Sequence, residues 1–221
     1  MKNSLTGKVL KAIGVFSGAE ALGIICSVVK MKLVALWLGA AGVGLFGIFN
    51  NSLETISILT GLGLRQSGVR EVARHSNTPG ALQRIVRSLR GWCALSGGLG
   101  ALIVCAMAPW LSEFFFGDFD YWWQFMILAG ALLFNSVVGG EQAILQGTRR
   151  IRKLANASVG GAVSGLAISI PMFRFMGERS VVFSIIAYGV SQLFFLYLFR
   201  NKELKYALPD REEFSEGREL A

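Results

Sequence analysis

Four ionisable side chains lie inside stretches of the sequence that are otherwise apolar. Lys30 and Lys32 interrupt the run VVKMKLVALWLGAAGVGLFG, and Glu20 and Glu54 lie before and after it. If these stretches span a bilayer, each charge costs about 2.5–3.5 kcal/mol at the membrane centre. Charged residues at that depth usually face a bundle interior or a water-filled cavity, so the sequence predicts such a cavity.

Amide side chains extend this polar pattern to further helices. Asn50 and Glu54 are an i, i+4 pair and therefore share one helical face. Asn135 and Gln142 are seven residues apart, which again places them on one face. Polar faces on several helices of one bundle are explained most economically by a shared hydrophilic cavity. The predicted cavity residues are Lys30, Lys32, Asn50, Asn51, Glu54, Asn135 and Gln142.

Other interpretations stay open for several polar residues. Lys32 lies close enough to the predicted outer interface to extend its ammonium group towards the headgroups, whereas Lys30 lies deeper. Glu20 could form a structural ion pair with a lysine. Glu141 and Gln146 approach the cytoplasmic end of their segment and are equally well explained as interfacial residues.

The sequence lacks the residue patterns typical of enzymes and metal sites. It has no DxD, HExxH or P-loop pattern, and the single histidine, His75, lies in a polar loop. The cysteines Cys26, Cys93 and Cys105 are widely spaced in apolar stretches, which fits neither a CxxC metal site nor a disulfide framework. We therefore expect no enzymatic activity, no cofactor and no bound metal.

The composition is that of a membrane protein. Hydrophobic residues make up 53% of the 221 residues and charged residues only 16%, with a mean hydropathy of +0.52. Soluble domains average about 25% charged residues. The net charge of +8 does not indicate nucleic-acid binding, because the basic residues lie between apolar segments instead of forming one stripe.

Six apolar segments are long enough to cross a membrane, which requires about 20 mostly apolar residues. The sequence therefore predicts an all-α, polytopic bundle at 12–199, between a cytoplasmic N-terminal arm at 1–11 and a cytoplasmic tail or linker at 200–221. The glycine-rich run after Leu38 is interpreted as a tight turn, because glycine adopts positive φ readily. The predicted spans cover residues 12–38, 45–64, 92–111, 122–146, 154–176 and 181–199.

The distribution of basic residues predicts the orientation. Of the 22 Lys and Arg residues, 18 lie in the N-terminal arm, the loops after the second and fourth spans, and the tail. The opposite connections contain GAAGVG, the acidic SEFFFGDFDYWW and MGERS. Because Lys and Arg are retained on the cytoplasmic side, both termini are predicted to be cytoplasmic.

Three motifs carry a resemblance to a known family. They are LGAAGVGLFG between the first two spans, TGLGLRQSGVREVAR at the end of the second span, and LQGTRRIRK between the fourth and fifth spans. Their order and spacing resemble, over residues 9–205, the N-terminal half of the oligosaccharide flippases. These are the Wzx-type O-antigen and polysaccharide translocases of the multidrug/oligosaccharidyl-lipid/polysaccharide exporter superfamily.

The resemblance implies transport of a lipid-linked oligosaccharide on a polyprenyl-pyrophosphate carrier across a bacterial inner membrane. It implies that Lys30 and Lys32 supply the positive counter-charge that a pyrophosphate requires. Glu20 and Glu54 then become candidates for proton or ion coupling. The implied partners are membrane lipids and the lipid-linked glycan, and nucleic acid is not among them.

The family is about twice as long as this chain and has twelve or more spans. The sequence is therefore expected to be a truncated or split N-terminal half, to pair with a separately encoded C-terminal half, or to assemble with a second copy. Two other functions stay open. One is half of a multidrug-type, cation-coupled exporter, for which an acidic and aromatic cavity is expected. The other is a non-transporting membrane scaffold, in which the polar faces would pair with one another and leave no groove.

Overall fold

The fold consists of helices throughout the part of the chain that the computed structural model describes, residues 2–61, 63–76 and 78–199. This confirms the predicted all-α class. At the N-terminal end, the exposure of individual residues is described for Gly14 and then from Ser17 onwards. The helices are α1 (Lys2–Gly61), α2 (Leu64–Arg74), α3 (Pro79–Phe116), α4 (Trp122–Gly147), α5 (Ile151–Met176), a one-turn 3₁₀ helix (Gly177–Arg179) and α6 (Ser180–Phe199).

Four continuous stretches of the described chain are long and apolar enough to cross a membrane, which supports a multi-pass membrane protein. The predicted number of six separate transmembrane helices is not matched. The two extra separations are not loops, because each turn is so short that the helical residues on its two sides form one continuous stretch. One is a break at Gly39, and the other is the 3₁₀ turn at Gly177–Arg179. The four stretches are Ser17–Gly61, Gly80–Phe116, Trp122–Gly147 and Ile151–Phe199.

The long helix α1 folds back on itself at Gly39. Gly39 has φ 68° and ψ −161°, a combination that is essentially restricted to glycine. Lys30 and Phe46 lie on opposite sides of this break, and a straight helix would separate them by about 24 Å. In the structure the Lys30 Nζ atom lies only 4.9 Å from the centroid of the Phe46 ring. The first arm (residues 17–38) and the second arm (residues 40–61) therefore lie against each other.

Helices α5 and α6 form an antiparallel hairpin through glycines. Gly160, Gly161 and Gly165 of α5 face progressively earlier residues of α6, in the order Phe195, Gln192 and Tyr188. A Cβ atom at Gly161 would lie 2.7 Å from Gln192 Cδ and 2.9 Å from its Cα atom. Small residues of this kind let two helical backbones approach closely.

Helices α3 and α4 form a second antiparallel pair, again with glycines at the closest approach. Gly97 and Gly100 of α3 face Ser136 and Leu132 of α4. Aromatic rings from α1 and α4 then join the main core, where Phe49 and Phe125 are fully buried with their ring centroids 5.3 Å apart. The second arm of α1, α3, α4 and α6 consequently surround a common interior.

Candidate functional site: a polar cavity between the helices

One cavity of about 630 Å³ lies between the second arm of α1, helices α3, α4 and α6, and the start of α2. Four of the predicted residues line it together: Asn50 and Glu54 of α1, and Asn135 and Gln142 of α4. The helical spacing explains this convergence, because residues four and seven apart lie on one helical face. The cavity thus joins polar faces that are far apart in the sequence.

The four predicted polar residues of the cavity are not paired with one another. Among the residues that the structure describes, none forms a hydrogen bond or ion pair with Asn50, Glu54, Asn135 or Gln142. The buried Oγ atom of Ser57, which also lines the cavity, has no partner there either. Asn50 and Glu54 are exposed and Asn135 and Gln142 are half-buried, so their hydrogen-bonding groups are available to water or to a ligand. The cavity can therefore bind a hydroxyl-rich or amide-bearing molecule.

Helix α6 contributes two cavity residues that the sequence did not predict, Tyr188 and Gln192. They are an i, i+4 pair, and Gln192 Nε2 donates a hydrogen bond to Tyr188 Oη at 3.1 Å. Gln192 also donates to the Ser158 carbonyl oxygen of α5 at 3.3 Å. The signal was present as a polar pair within an apolar segment, which is the same pattern that predicted Asn50 and Glu54.

The segment between α1 and α2 forms one end of the cavity. Gly63 has φ 72° and begins α2, and Arg65 and Gln66 of its first turn line the cavity. Arg65 is exposed. It places a positive charge at the end of the cavity that the sequence predicts to be cytoplasmic.

Lys30 is buried beside the cavity but does not line it. Only 9% of the residue is exposed, and its ammonium group lies over two aromatic rings. The Nζ atom is 4.9 Å from the Phe46 centroid and 5.6 Å from the Tyr188 centroid. Because Tyr188 lines the cavity, this one residue contacts Lys30 and also forms part of the cavity wall.

The other predicted site residues lie outside the cavity. Lys32, Asn51 and Glu20 are all exposed on α1, and none of them lines the cavity. A helix turns by about 100° per residue, so Asn51 leaves the face of Asn50 and Lys32 leaves the face of Lys30. The exposure of Lys32 is compatible with a lysine that extends to the membrane surface, and that role stays a prediction. A role for these three residues stays a prediction.

Glu141 forms a buried ion pair between α3 and α4. Arg90 Nε lies 2.6 Å from Glu141 Oε1, and Arg90 Nη2 lies 3.1 Å from Oε2. Glu141 is only 8% exposed and is held inside the protein by this ion pair, while its interpretation as a residue of the membrane interface stays a prediction. Gln146, by contrast, is exposed. The ion pair lies next to the cavity, which Cys93 and Gly140 line from the same helices.

The part of the chain that the structure describes holds no group of three or more His, Cys, Asp or Glu side chains able to bind a metal ion. Its cysteines, Cys26, Cys93 and Cys105, are free thiols. The residues that line the cavity supply hydrogen-bonding amides and hydroxyls and the ionisable side chains Glu54 and Arg65.

Comparisons with known proteins identify a family for the chain. The model of the family described as polysaccharide biosynthesis protein matches residues 9–214. Two relatives, the lipid III flippases of Escherichia coli K12 and Shigella flexneri, are each 25% identical over 156 residues. The match covers 70% of this chain but spans only 37% of each relative's length. No solved structure matches the chain. Since the family model covers nearly the whole sequence, the chain belongs to the polysaccharide biosynthesis protein family.

Proposed function

We propose that this protein translocates a lipid-linked oligosaccharide across the membrane, as a non-enzymatic transporter for cell-surface polysaccharide such as O-antigen. The observation that carries the proposal is the cavity in which Asn50, Glu54, Asn135 and Gln142 meet without pairing. Sugar hydroxyls form hydrogen bonds with amides, which donate and accept, and with carboxylates, which accept, and these side chains supply both kinds of group. Family membership and the lipid III flippase relatives support the same cargo class.

The proposed cargo carries a polyprenyl pyrophosphate, and each part of it has a suitable environment. The glycan would occupy the amide-lined cavity, while the polyprenyl chain would stay in the lipid beside the helices. Arg65, exposed at one end of the cavity, and Lys30, buried beside it, are the cations available to the pyrophosphate. Transport would need no covalent chemistry, only a cavity that opens alternately to the two leaflets.

We further propose that the chain crosses a bacterial inner membrane six times with both termini in the cytoplasm. Two of the apolar stretches support this, because they are 45 and 49 residues long. A straight helix of that length would span roughly 70 Å, whereas the hydrocarbon core is about 30 Å thick. In this proposal the fold-back at Gly39 and the α5–α6 hairpin would each divide one such stretch into two crossings.

A second unit is proposed to complete the transporter, either another six-crossing segment or a second copy of this chain. The relatives support this, because the aligned region spans 37% of their length. The first arm of α1 offers a free apolar surface as well. Along it a single stripe that includes Ala19, Lys30 and Val34 is buried, while Ile24, Val28 and Leu36 are more than 60% exposed.

Site-specific photo-crosslinking in native membranes tests the proposed function. The photoreactive amino acid p-benzoylphenylalanine is introduced at Asn135, inside the cavity, and at Val163, which is 51% exposed on α5 and does not line it. The host makes radiolabelled lipid-linked oligosaccharide. We expect a labelled, glycosidase-sensitive adduct at position 135 and none at position 163. Equal labelling at both positions, or none at 135, contradicts cargo binding in this cavity.

A second candidate function is half of a cation-coupled drug exporter. It is favoured by one observation, that Glu54 and Tyr188 line the cavity whereas Lys30 and Lys32 do not. In that case Glu54→Gln would abolish resistance to lipophilic cations and leave surface polysaccharide unchanged. The flippase proposal expects Glu54→Gln to reduce surface polysaccharide and to leave resistance to lipophilic cations unchanged. The scaffold alternative has less support, because the polar faces surround a cavity instead of pairing.

A further inference from the structure

Lys30 is a cation buried between two aromatic rings next to the cavity. Its Nζ atom lies 4.9 Å from the Phe46 centroid and 5.6 Å from the Tyr188 centroid, distances typical of cation–π contacts. No carboxylate of the described chain lies within ion-pair distance of it. The two ring faces therefore provide the electrostatic stabilisation that an acidic partner would otherwise supply.

Tyr188 occupies the position between this cation and the cavity. Its ring contacts Lys30, and the same residue lines the cavity and is 37% exposed. Gln192 Nε2 holds the phenol oxygen at 3.1 Å. A Cβ atom at Gly165 would lie 2.9 Å from Tyr188 Cδ2, so the tyrosine also packs closely on α5.

The orientation of Tyr188 consequently determines the charge that the cavity presents. With the ring as observed, the ionisable side chains among the described lining residues are Glu54, the thiol of Cys93, the phenol of Tyr188 and, at one end, Arg65. The ammonium group of Lys30 contacts this ring and is not among the lining groups. A change in the side-chain torsions of Tyr188 that moves its ring away would break this contact and the hydrogen bond from Gln192.

We propose that Tyr188 is a positioning residue that shields Lys30 from the cavity and, by turning away, admits the ammonium group to an anionic part of the cargo. This inference rests on the proposed function, because the anion that Lys30 meets is the pyrophosphate of the lipid-linked glycan. Charge-assisted hydrogen bonds to phosphate are about twice as strong as neutral ones, so arrival of the anion can displace the ring. The cavity thereby becomes cationic only when an anion is present.

Acylation of the lysine amines measures the shielding directly. The intact chain in detergent is treated with sulfosuccinimidyl acetate, a water-soluble acylating reagent, and modification at each lysine is followed by mass spectrometry. Lys32, which is exposed on the same arm, is the internal reference. The variants are Tyr188→Ala, Tyr188→Phe and, as matched control, Tyr197→Ala, which removes a 60% exposed tyrosine of the same helix.

We expect Lys30 in the unsubstituted chain to react at least about tenfold more slowly than Lys32, since a desolvated cation–π contact favours the closed arrangement. Tyr188→Ala should raise the Lys30 rate about tenfold, while Tyr188→Phe and Tyr197→Ala leave it nearly unchanged. The Lys32 rate should stay constant in every variant, because Lys32 is already exposed in the unsubstituted chain.

Two results would overturn the shielding. One is equal acylation of Lys30 and Lys32 in the unsubstituted chain, a measurement that needs no variant to fold. The other is an unchanged Lys30 rate in Tyr188→Ala. Because acylation does not depend on cargo, the proposed transport can fail in the photo-crosslinking experiment while the shielding stands, and the reverse also holds.

Discussion

Removing the Glu141 carboxylate should strongly destabilise the bundle. Glu141→Ala leaves the Arg90 guanidinium in a site where its side chain is 15% exposed, without the two contacts of 2.6 and 3.1 Å that balance its charge. Breaking a buried ion pair by removing one partner costs about 3–5 kcal/mol. For a chain of this size that corresponds to a fall in melting temperature of roughly 6–20 °C.

The assay is thermal unfolding of the purified protein in a mild detergent, followed by loss of its monodisperse elution peak. Glu178→Ala removes an exposed carboxylate from the 3₁₀ turn and serves as matched control. The double variant Arg90→Met with Glu141→Met should be more stable than Glu141→Ala, because it removes both charges of the pair. A melting temperature of Glu141→Ala within about 2 °C of the control would refute the reasoning.

Three further predictions concern the turn, the hairpin and the cavity. Gly39→Ala should lower the unfolding free energy by about 1–3 kcal/mol, because alanine is strained at φ 68°, ψ −161°. Gly44→Ala, in regular helix with open space around it, should not lower the unfolding free energy. Equal melting temperatures of the two variants would contradict this. Gly161→Leu should lower the unfolding free energy by about 1–3 kcal/mol, because the new side chain overlaps the Gln192 backbone. The exposed Val163→Leu should leave the unfolding free energy unchanged. Chemical denaturation in detergent measures the unfolding free energy of both variants. Gln142→Leu should reduce surface polysaccharide at unchanged protein level, because it removes an amide from the cavity. Gln146→Leu changes an exposed amide outside the cavity and should leave surface polysaccharide unchanged. Cell-surface staining measures the polysaccharide in both variants.

The helical class and part of the cavity could be predicted because both depend on local sequence pattern. Apolar segments of membrane length predict helices, and the spacing of Asn50 with Glu54 predicts a shared polar face. What the pattern could not predict is whether a short turn interrupts the helical backbone. At Gly39 a single residue reverses the chain, so the expected glycine-rich loop is instead a break within α1.

The contacts that were missed depend on residues far apart in the sequence. Arg90 and Glu141 are 51 residues apart, and only the antiparallel packing of α3 on α4 brings them together. The position of Lys30 depends on two such events, the fold-back of α1 that brings Phe46 and the α5–α6 hairpin that brings Tyr188. A membrane-depth lysine predicted a special environment, but not that aromatic rings would provide it.

The central claim is that the polar faces of α1 and α4 surround a hydrophilic cavity that opens to the cytoplasm and holds the glycan. Its most direct measurement is thiol labelling of Asn135→Cys in a chain whose cysteines are replaced by alanine, in inside-out membrane vesicles with a negatively charged, impermeant reagent. The account predicts rapid labelling at position 135, slowed by lipid-linked oligosaccharide, and little labelling of the outward-facing Val163→Cys. Absence of labelling at position 135, or labelling that the glycan does not slow, would contradict it.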